Sequence, residues 1–455
     1  MPADSWTKKL EEIVGPANVS YQPDWFRERA WDGPVPQATA FPATREQVCE
    51  VLRLADADRL KVILAGQGTK QRMGGACQGI DLVLSLARLN RIIDYPASDL
   101  TISVEAGLPI RELAATLAAH GQMLPLDIPF SDQATVGGAI ATNSTGPRRF
   151  AYGSWRDIVL GVHFVTAEGK LAKGGGKVVK NVAGYDLPKL LIGSCGTLAV
   201  IVEVALKVFP IPPGTATFVL GFATADQAFQ ASRRILNSPL IPQALDFVDS
   251  AAGELAKETS ALASPCNLLV GVAGQDVVVE RFQRELPSVV RAHGAHGLAN
   301  VLALRDEQES SLWRAIQELT PTFLNAHPNG VVVKASLPLN RMGHFIARAQ
   351  EVASGYSLSI ANLARAGSGI VYCHLWSGAD TRSAGPEPVV KASEFLLAEA
   401  ERLGGRAIIE WCPTELKSKI NLWGTLGDDF PWMRQVKAAL DPLGILNPGR
   451  FYGGI

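Results

Sequence analysis

Gly66-Gln67-Gly68-Thr69-Lys70, with Gly74-Gly75 a little further on, is the first stretch of this 455-residue chain whose residue types suggest a chemistry. Glycines at that density let successive main-chain N–H groups converge on one point, which makes an anion nest. Lys70 and Arg72 would add positive charge beside it. The same residues also suit an ordinary tight turn between strands. Two phosphate-binding motifs are excluded. A G-x-G-x-x-G fingerprint needs glycine at position 71, which is Gln71, and a helix directly after it. A Walker loop needs a Gly-Lys-Ser/Thr ending, which is absent here.

A second cluster changes the balance. Ala134-Thr135-Val136-Gly137-Gly138-Ala139-Ile140-Ala141-Thr142-Asn143 sets small residues side by side, and Gly146 and Gly153 follow. Such backbone can lie against a flat, extended ligand without side-chain obstruction. Lys180-Asn181-Val182-Ala183-Gly184-Tyr185-Asp186 and Gly193-Ser194-Cys195-Gly196-Thr197-Leu198 come next. Residues 137–197 hold twelve of the 43 glycines, about double the chain average. Two glycine-rich segments beside an anion nest describe one long ligand with a phosphate middle, and a dinucleotide fits that description.

Other residues have two readings each. Tyr185 is placed to stack on a cofactor or to fill a core. Lys180 and Arg365 are cations that could meet a substrate carboxylate, or a solvated lysine and a structural ion pair. His374 sits in an apolar run, as a core histidine or a proton-handling group. His163, Trp411 and Trp423 read as structural. The six cysteines are scattered, with no CxxC pair and no His at metal spacing, so reduced thiols and no metal site are expected.

These residues need elements to hold them. Thr44, with Gln47 three residues on, starts a helix to about residue 57. Residues 61–65, 81–86 and 101–105 read as strands, and Pro109 opens a helix through His120. Residues 158–172 form a hairpin around Glu168-Gly169, and 198–209 alternate as a half-buried strand. Pro210, Pro212 and Pro213 mark a domain boundary. Beyond it, strands at 217–222, 268–272, 331–335, 370–375 and 407–411 alternate with helices at 226–236, 277–291, 341–353 and 387–403. That is an α+β layer, an antiparallel sheet with helices on one face. The expected domains are a lead-in at 1–40, a cofactor domain at 41–212, an α+β cap at 213–430 and a tail at 431–455 that packs back.

Composition agrees with a folded chain of two to three domains: 47% of residues are hydrophobic and 19% charged. Forty-three Lys and Arg balance 44 Asp and Glu, which argues against nucleic-acid binding. No apolar run is long enough to span a membrane and no signal peptide is visible, so a cytoplasmic location is expected, with membrane association only through partners.

Taken together, the strings resemble the FAD-linked oxidases of the vanillyl-alcohol-oxidase and cresol-methylhydroxylase (PCMH) type. The resemblance covers residues 40–212 and the tail. Within the family it is strongest to the FAD-binding E subunits of bacterial glycolate oxidases. Gly146-Pro147-Arg148-Arg149, the 180–186 and 193–198 strings, Glu410-Trp411-Cys412-Pro413, Leu422-Trp423-Gly424 and Leu446-Asn447-Pro448-Gly449-Arg450-Phe451 carry it.

The resemblance implies an α+β fold: a two-subdomain FAD-binding domain of PCMH type with an α+β cap. It places Gly66, Gln67, Gly68, Thr69, Lys70 and Gly74 on the pyrophosphate loop. Thr135, Gly137, Gly138, Asn143, Gly146 and Gly153 fall on a second FAD segment. Gly196, Thr197 and Ile201 fall on a strand bordering the cofactor, and Asn447 near the flavin end of the tail. Many relatives carry a histidine in the first loop that bonds the flavin covalently. Thr69-Lys70 stands there in this chain, so the FAD is expected to be non-covalent. Relatives that oxidise 2-hydroxy acids carry a histidine-rich string used to hold a metal, and the comparable stretch here, from Leu363 to Tyr372, has none. Tyr185, Arg365 and His374 remain as catalytic candidates. The expected function is that of the FAD subunit of a glycolate (2-hydroxy acid) oxidase, with a sister FAD subunit and an iron–sulfur subunit as partners. A non-catalytic assembly subunit and a stand-alone 2-hydroxy acid dehydrogenase are the alternatives.

Overall fold

The computed structural model describes residues 5–22, 35–77, 79–176, 185–258, 260–291, 298–378 and 385–455. The Lys180-to-Gly184 part of the glycine-rich reading therefore lies outside the described residues. The chain forms two compact units. One is Met1–Ser144, Gly153–Ile211 and Thr425–Ile455; the other is Thr145–Tyr152 and Pro212–Gly424.

In the first unit, a four-stranded sheet runs Val19–Ser20, Ala38–Ala40, Leu82–Ser85, Val62–Ala65, and the last three strands are parallel. The helix Arg45–Ala57 makes the crossover between two of them. Its cap is Thr44, whose hydroxyl accepts the Gln47 N–H at 3.2 Å, while the Gln47 side chain accepts the Ala43 N–H at 2.8 Å. Val48, Val51, Leu52 and Ala55 form its buried stripe. The N-terminal helix Ser5–Val14 adds Leu10 and Val14 to the same core.

A second sheet is antiparallel, in the order Ile92–Asp94, Thr101–Glu105, Val200–Lys207, Val159–Val165, Leu171–Gly175. Its last two strands are the expected hairpin. Gly169 takes φ +73° at the turn, where any β-carbon would meet the Cys49 carbonyl at 2.4 Å.

The second unit is built on one eight-stranded antiparallel sheet. Its order is Leu298–Leu304, Thr215–Phe222, Cys266–Ala273, Ala244–Asp249, Leu358–Arg365, Ile370–Ser377, Val331–Ser336, Arg406–Trp411. Three of these strands, Leu298–Leu304, Ala244–Asp249 and Leu358–Arg365, were not expected. One face carries the four helices that periodicity anticipates: Ala225–Leu236, Asp276–Arg291, Met342–Gly355 and Glu387–Arg402. The other face is also covered. Ser250–Ala256, Asp306–Gln317 and Leu319–Ala326 stand over a core of Val219, Val248, Leu269, Ala361 and Leu363. Helices on one face alone would leave those side chains in water. Seven consecutive buried residues in Thr215–Phe222 show a strand covered on both sides.

Candidate functional site

The first unit contains a cleft of about 920 Å³, counting its open mouth. One wall is the loop that follows the strand Val62–Ala65. Gly66, Gln67, Gly68, Thr69 and Lys70 all line the cleft, and Gly68 has φ +79°. Among the described residues, the main-chain N–H groups of Gly68 and Thr69 make no hydrogen bond. The loop runs on to the strand Leu82–Ser85 with no helix among the described residues, as the failed fingerprint predicts.

The opposing wall goes beyond the sequence expectation. The small residues of 134–143 carry no expected secondary structure, and Val136–Ala141 is a short helix. Thr135 caps it by accepting the Gly138 N–H at 3.3 Å. Gly137 lets this helix press on the neighbouring chain, because a β-carbon there would lie 2.7 Å from the Ala106 β-carbon. Thr135, Gly137 and Gly138 line the cleft.

A third side comes from the turn before Val200–Lys207, which contributes Cys195, Gly196 and Ile201. The tail closes it. Asn447, in the left-handed region at φ +43°, accepts the Leu64 N–H at 2.8 Å and donates to the Cys195 carbonyl at 2.6 Å. One side chain thus ties the first wall to the third. Arg450 donates to the carbonyls of Gln71 and Met73 and fixes the outgoing arm of the first loop. Lys437 donates to the Thr197 carbonyl at 2.8 Å, the Leu446 carbonyl at 3.0 Å and Asp441 at 2.5 Å. Burial pushes its ammonium below the usual lysine range, and Asp441 opposes that shift.

The electrostatics are one-sided. Lys70 and Arg450 line the cleft, and no carboxylate does among the described residues. The Lys70 ammonium sits against the hydroxyls of Ser144 and Thr142. Main-chain donors, two cations and a glycine floor form a cradle suited to a diphosphate with planar groups on each side. Lys70, Gly68 and Thr69 would hold the phosphates. The small residues of the helix and of the 193–197 turn would admit the rings.

Five predicted residues do not line the cleft. Gly74 lies further along the first loop, with φ +75°. Asn143 follows the short helix at φ +47°, and its buried Oδ1 has no partner among the described residues. Gly146 belongs to the second unit. Gly153 sits at φ +83° beside Asp157, the acid of a capping box with Ser154. Thr197 is fully buried and bonds the Ser194 carbonyl at 2.8 Å. Conversely, Cys195 and Arg450 line the cleft without having been singled out as site residues, although both stand inside the strings quoted above.

The catalytic candidates also find places. Tyr185 is 92% exposed and outside the core. Arg365 is buried and ion-paired with Asp246. His374 is fully buried, within 3.0 Å of the Thr320 hydroxyl and 3.3 Å of the Ala361 carbonyl. Burial pushes its imidazole down to about 4, so it is neutral near pH 7. Trp411 is buried and Trp423 packs on the helix-covered core.

A mixed α/β unit with this cleft is followed by a sheet-and-helix unit. Residues 36–175 match the FAD binding domain model and residues 211–451 match the C-terminal domain of FAD linked oxidases. The chain belongs to the FAD-linked oxidases, and its cofactor is FAD. It is 30% identical to a D-2-hydroxyglutarate dehydrogenase of Xanthomonas citri, over 96% of this chain and 93% of that one. Identity to glycolate oxidase subunit GlcD of Bacillus subtilis is 28%, over 92% and 89%. Identity to subunit GlcE of Escherichia coli is 38%, but over 37% of this chain and 47% of that one. Substrate-bound p-cresol methylhydroxylase superposes with a TM-score of 0.79 at 16% identity, covering 98% of this chain and 96% of that one. That likeness shows a PCMH-type fold.

Proposed function

We propose that this FAD-dependent oxidoreductase oxidises the CH–OH carbon of a small 2-hydroxy acid such as glycolate through non-covalent FAD, as one subunit of a glycolate oxidase-type complex. The cleft carries the reading: glycine walls, unbonded main-chain donors, Lys70, and no histidine among its described lining residues. When bound, FAD supplies the two-electron acceptor, and the protein supplies position and electrostatics. The names of the relatives, two glycolate oxidase subunits and a 2-hydroxyglutarate dehydrogenase, support the substrate class. A sister FAD subunit and an iron–sulfur subunit would carry electrons onward, since the scattered cysteines offer no cluster spacing. Among the described residues no helix is long and apolar enough to cross a membrane.

Acid precipitation tests the attachment. Yellow colour released to the supernatant is expected, and a yellow pellet counts against it. Anaerobic mixing of the isolated chain with glycolate, D-lactate or D-2-hydroxyglutarate tests the reaction, and loss of the flavin band near about 450 nm is the expected result.

A second reading is an assembly subunit that binds FAD without turning over. The structural partners of Arg365 and His374 favour it, because both candidates serve the cap's own interior. Complex activity that survives removal of flavin from this chain would decide for it.

A further inference from the structure

The closing segment of the first unit, Thr425–Ile455, comes after the whole second unit in sequence and still takes part in the cofactor cleft. Its path is that of an added strand. Val62–Ala65 stands at the end of its four-stranded sheet, with one edge unpaired by any other strand among the described residues. Residues 445–447 run parallel to that edge. The Val62 N–H donates to the Ile445 carbonyl at 2.8 Å, and the Asn447 N–H to the Val62 carbonyl at 2.9 Å. Two residues on, the Leu64 N–H goes to the Asn447 side chain. Past the cofactor loop, the Gly75 N–H donates to the Arg450 carbonyl at 2.8 Å, and a β-carbon on Gly75 would lie 2.0 Å from the Gly449 oxygen. With the Asn447 bond to Cys195, the segment grips the strand that enters the loop, the arm that leaves it, and the third wall.

What holds this segment is narrow. Within 441–450 the buried apolar side chains are Ile445 and Leu446, and the helix before it, Phe430–Leu440, has no buried residue. The walls it touches are built differently. Val62 and Ile63 in the strand, and Val136 and Ile140 in the short helix, are all sealed in cores. Few buried apolar contacts put a segment at the low end of local stability. A dinucleotide that fills a cleft walled on three sides needs one wall to withdraw before it can be seated. The tail is the wall that withdraws with the least loss of buried surface.

We propose that residues 441–450 are a displaceable strap: FAD enters and leaves only while the strap is undocked from the Val62–Ala65 edge, and bound FAD holds it docked. This rests on the non-covalent attachment proposed above. Linkage makes the effect mutual, so FAD protects the strap as much as the strap retains FAD.

Gly444 offers the test. It has φ +62°, a β-carbon there meets nothing within 4 Å, and it is not among the described residues lining the cleft. Gly444→Ala therefore weakens the docked backbone without touching a cofactor-facing group. FAD uptake by flavin-free full-length protein and FAD release from loaded protein are followed by flavin fluorescence. Both rates are expected to rise by the same factor, about fivefold, with Kd within about twofold of wild type, because both directions share the opening step. Gly444→Asn should give a smaller equal rise, since asparagine tolerates the left-handed region. Faster release with unchanged or slower uptake overturns the proposal, because the strap would then be a contact and not a gate. Unchanged rates overturn it as well. Amide hydrogen exchange of wild type is independent of any variant. The N–H groups of Val62, Leu64, Gly75 and Asn447 are expected to exchange at least about tenfold more slowly with FAD bound, and equal exchange overturns the coupling. Flavin that never leaves wild type or variants would reject non-covalent attachment, and uptake and exchange would then decide the strap by themselves.

Discussion

The Thr135 hydroxyl stands 2.1 Å from where a β-carbon on Gly66 would lie. The first loop and the Thr135 side chain that caps the short helix therefore leave no room for a β-carbon between them, on two walls of the cleft. Gly66→Ala is expected to push the walls apart, at an overpacking cost of about 1–3 kcal/mol, and to lower flavin occupancy in purified protein. Thr135→Ala loses the cap, at about 1 kcal/mol. The double variant should recover part of the Gly66→Ala defect, since the smaller side chain makes the missing room. Flavin-to-protein absorbance ratios across the four proteins measure this coupling, and strict additivity would count against the contact.

Asn447 reports on the tail. Asn447→Ala removes both the acceptor for Leu64 N–H and the donor to the Cys195 carbonyl. Two bonds at about 0.5–1.5 kcal/mol each, and a strained left-handed alanine, should lower Tm by several degrees. Asn447→Gly keeps the backbone at ease but loses the same bonds, so its flavin affinity should fall with a smaller loss of Tm. Flavin titration beside thermal melts separates the two effects.

Lys437 is a partly buried charge with three acceptors. Lys437→Met leaves Asp441 buried without its cation and should destabilise the chain by about 3–5 kcal/mol. Lys437→Met with Asp441→Asn should cost less, because the amide is uncharged and its carbonyl oxygen can still accept one of the N–H bonds that Ile445 and Leu446 donate to Asp441. Urea unfolding of both variants is the measurement.

His374 gives stability a pH dependence. Its folded pKa of about 4 lies below the usual histidine value, so in the window between about 4 and 6.5 the unfolded chain binds the proton and the folded chain does not. Stability from this group is full above about 6.5 and is lost as pH falls toward 4, an effect on the order of 3 kcal/mol. Asp249 works the other way: burial raises its folded pKa to about 6, so its contribution declines as pH rises through 6. His374→Gln should flatten the acid limb of a Tm-versus-pH profile, and an unchanged limb would remove His374 as its cause.

Much of the cofactor unit was legible because its signals are local. Thr44 with Gln47 marks a helix start, Gly169 a hairpin turn, and Gln71 in place of a third glycine excludes a dinucleotide fingerprint. The cap was legible where periodicity is strong, as in its four long amphipathic helices. It was not where polar residues are buried. Ala244–Asp249 holds two buried acids, and Asp306–Gln317 begins with three carboxylates and does not read as a core-covering helix. Their partners, Arg365 for Asp246 and the Thr215 and Thr217 hydroxyls for Glu309, lie about a hundred residues away. No local pattern carries a pairing of that range.

By itself, the order of residues determined that a glycine-rich loop would stand at 66–70 and that small residues would follow at 134–143, because glycine's freedom belongs to each position alone. Only the folded chain decided which of those glycines face the cleft, that Asn447 and Arg450 lock it from the far end of the polypeptide, and that Tyr185 stands in solvent while His374 is sealed in a core. Those outcomes depend on which surfaces exclude water from each other, and that is settled by packing between distant segments, not by neighbours in sequence.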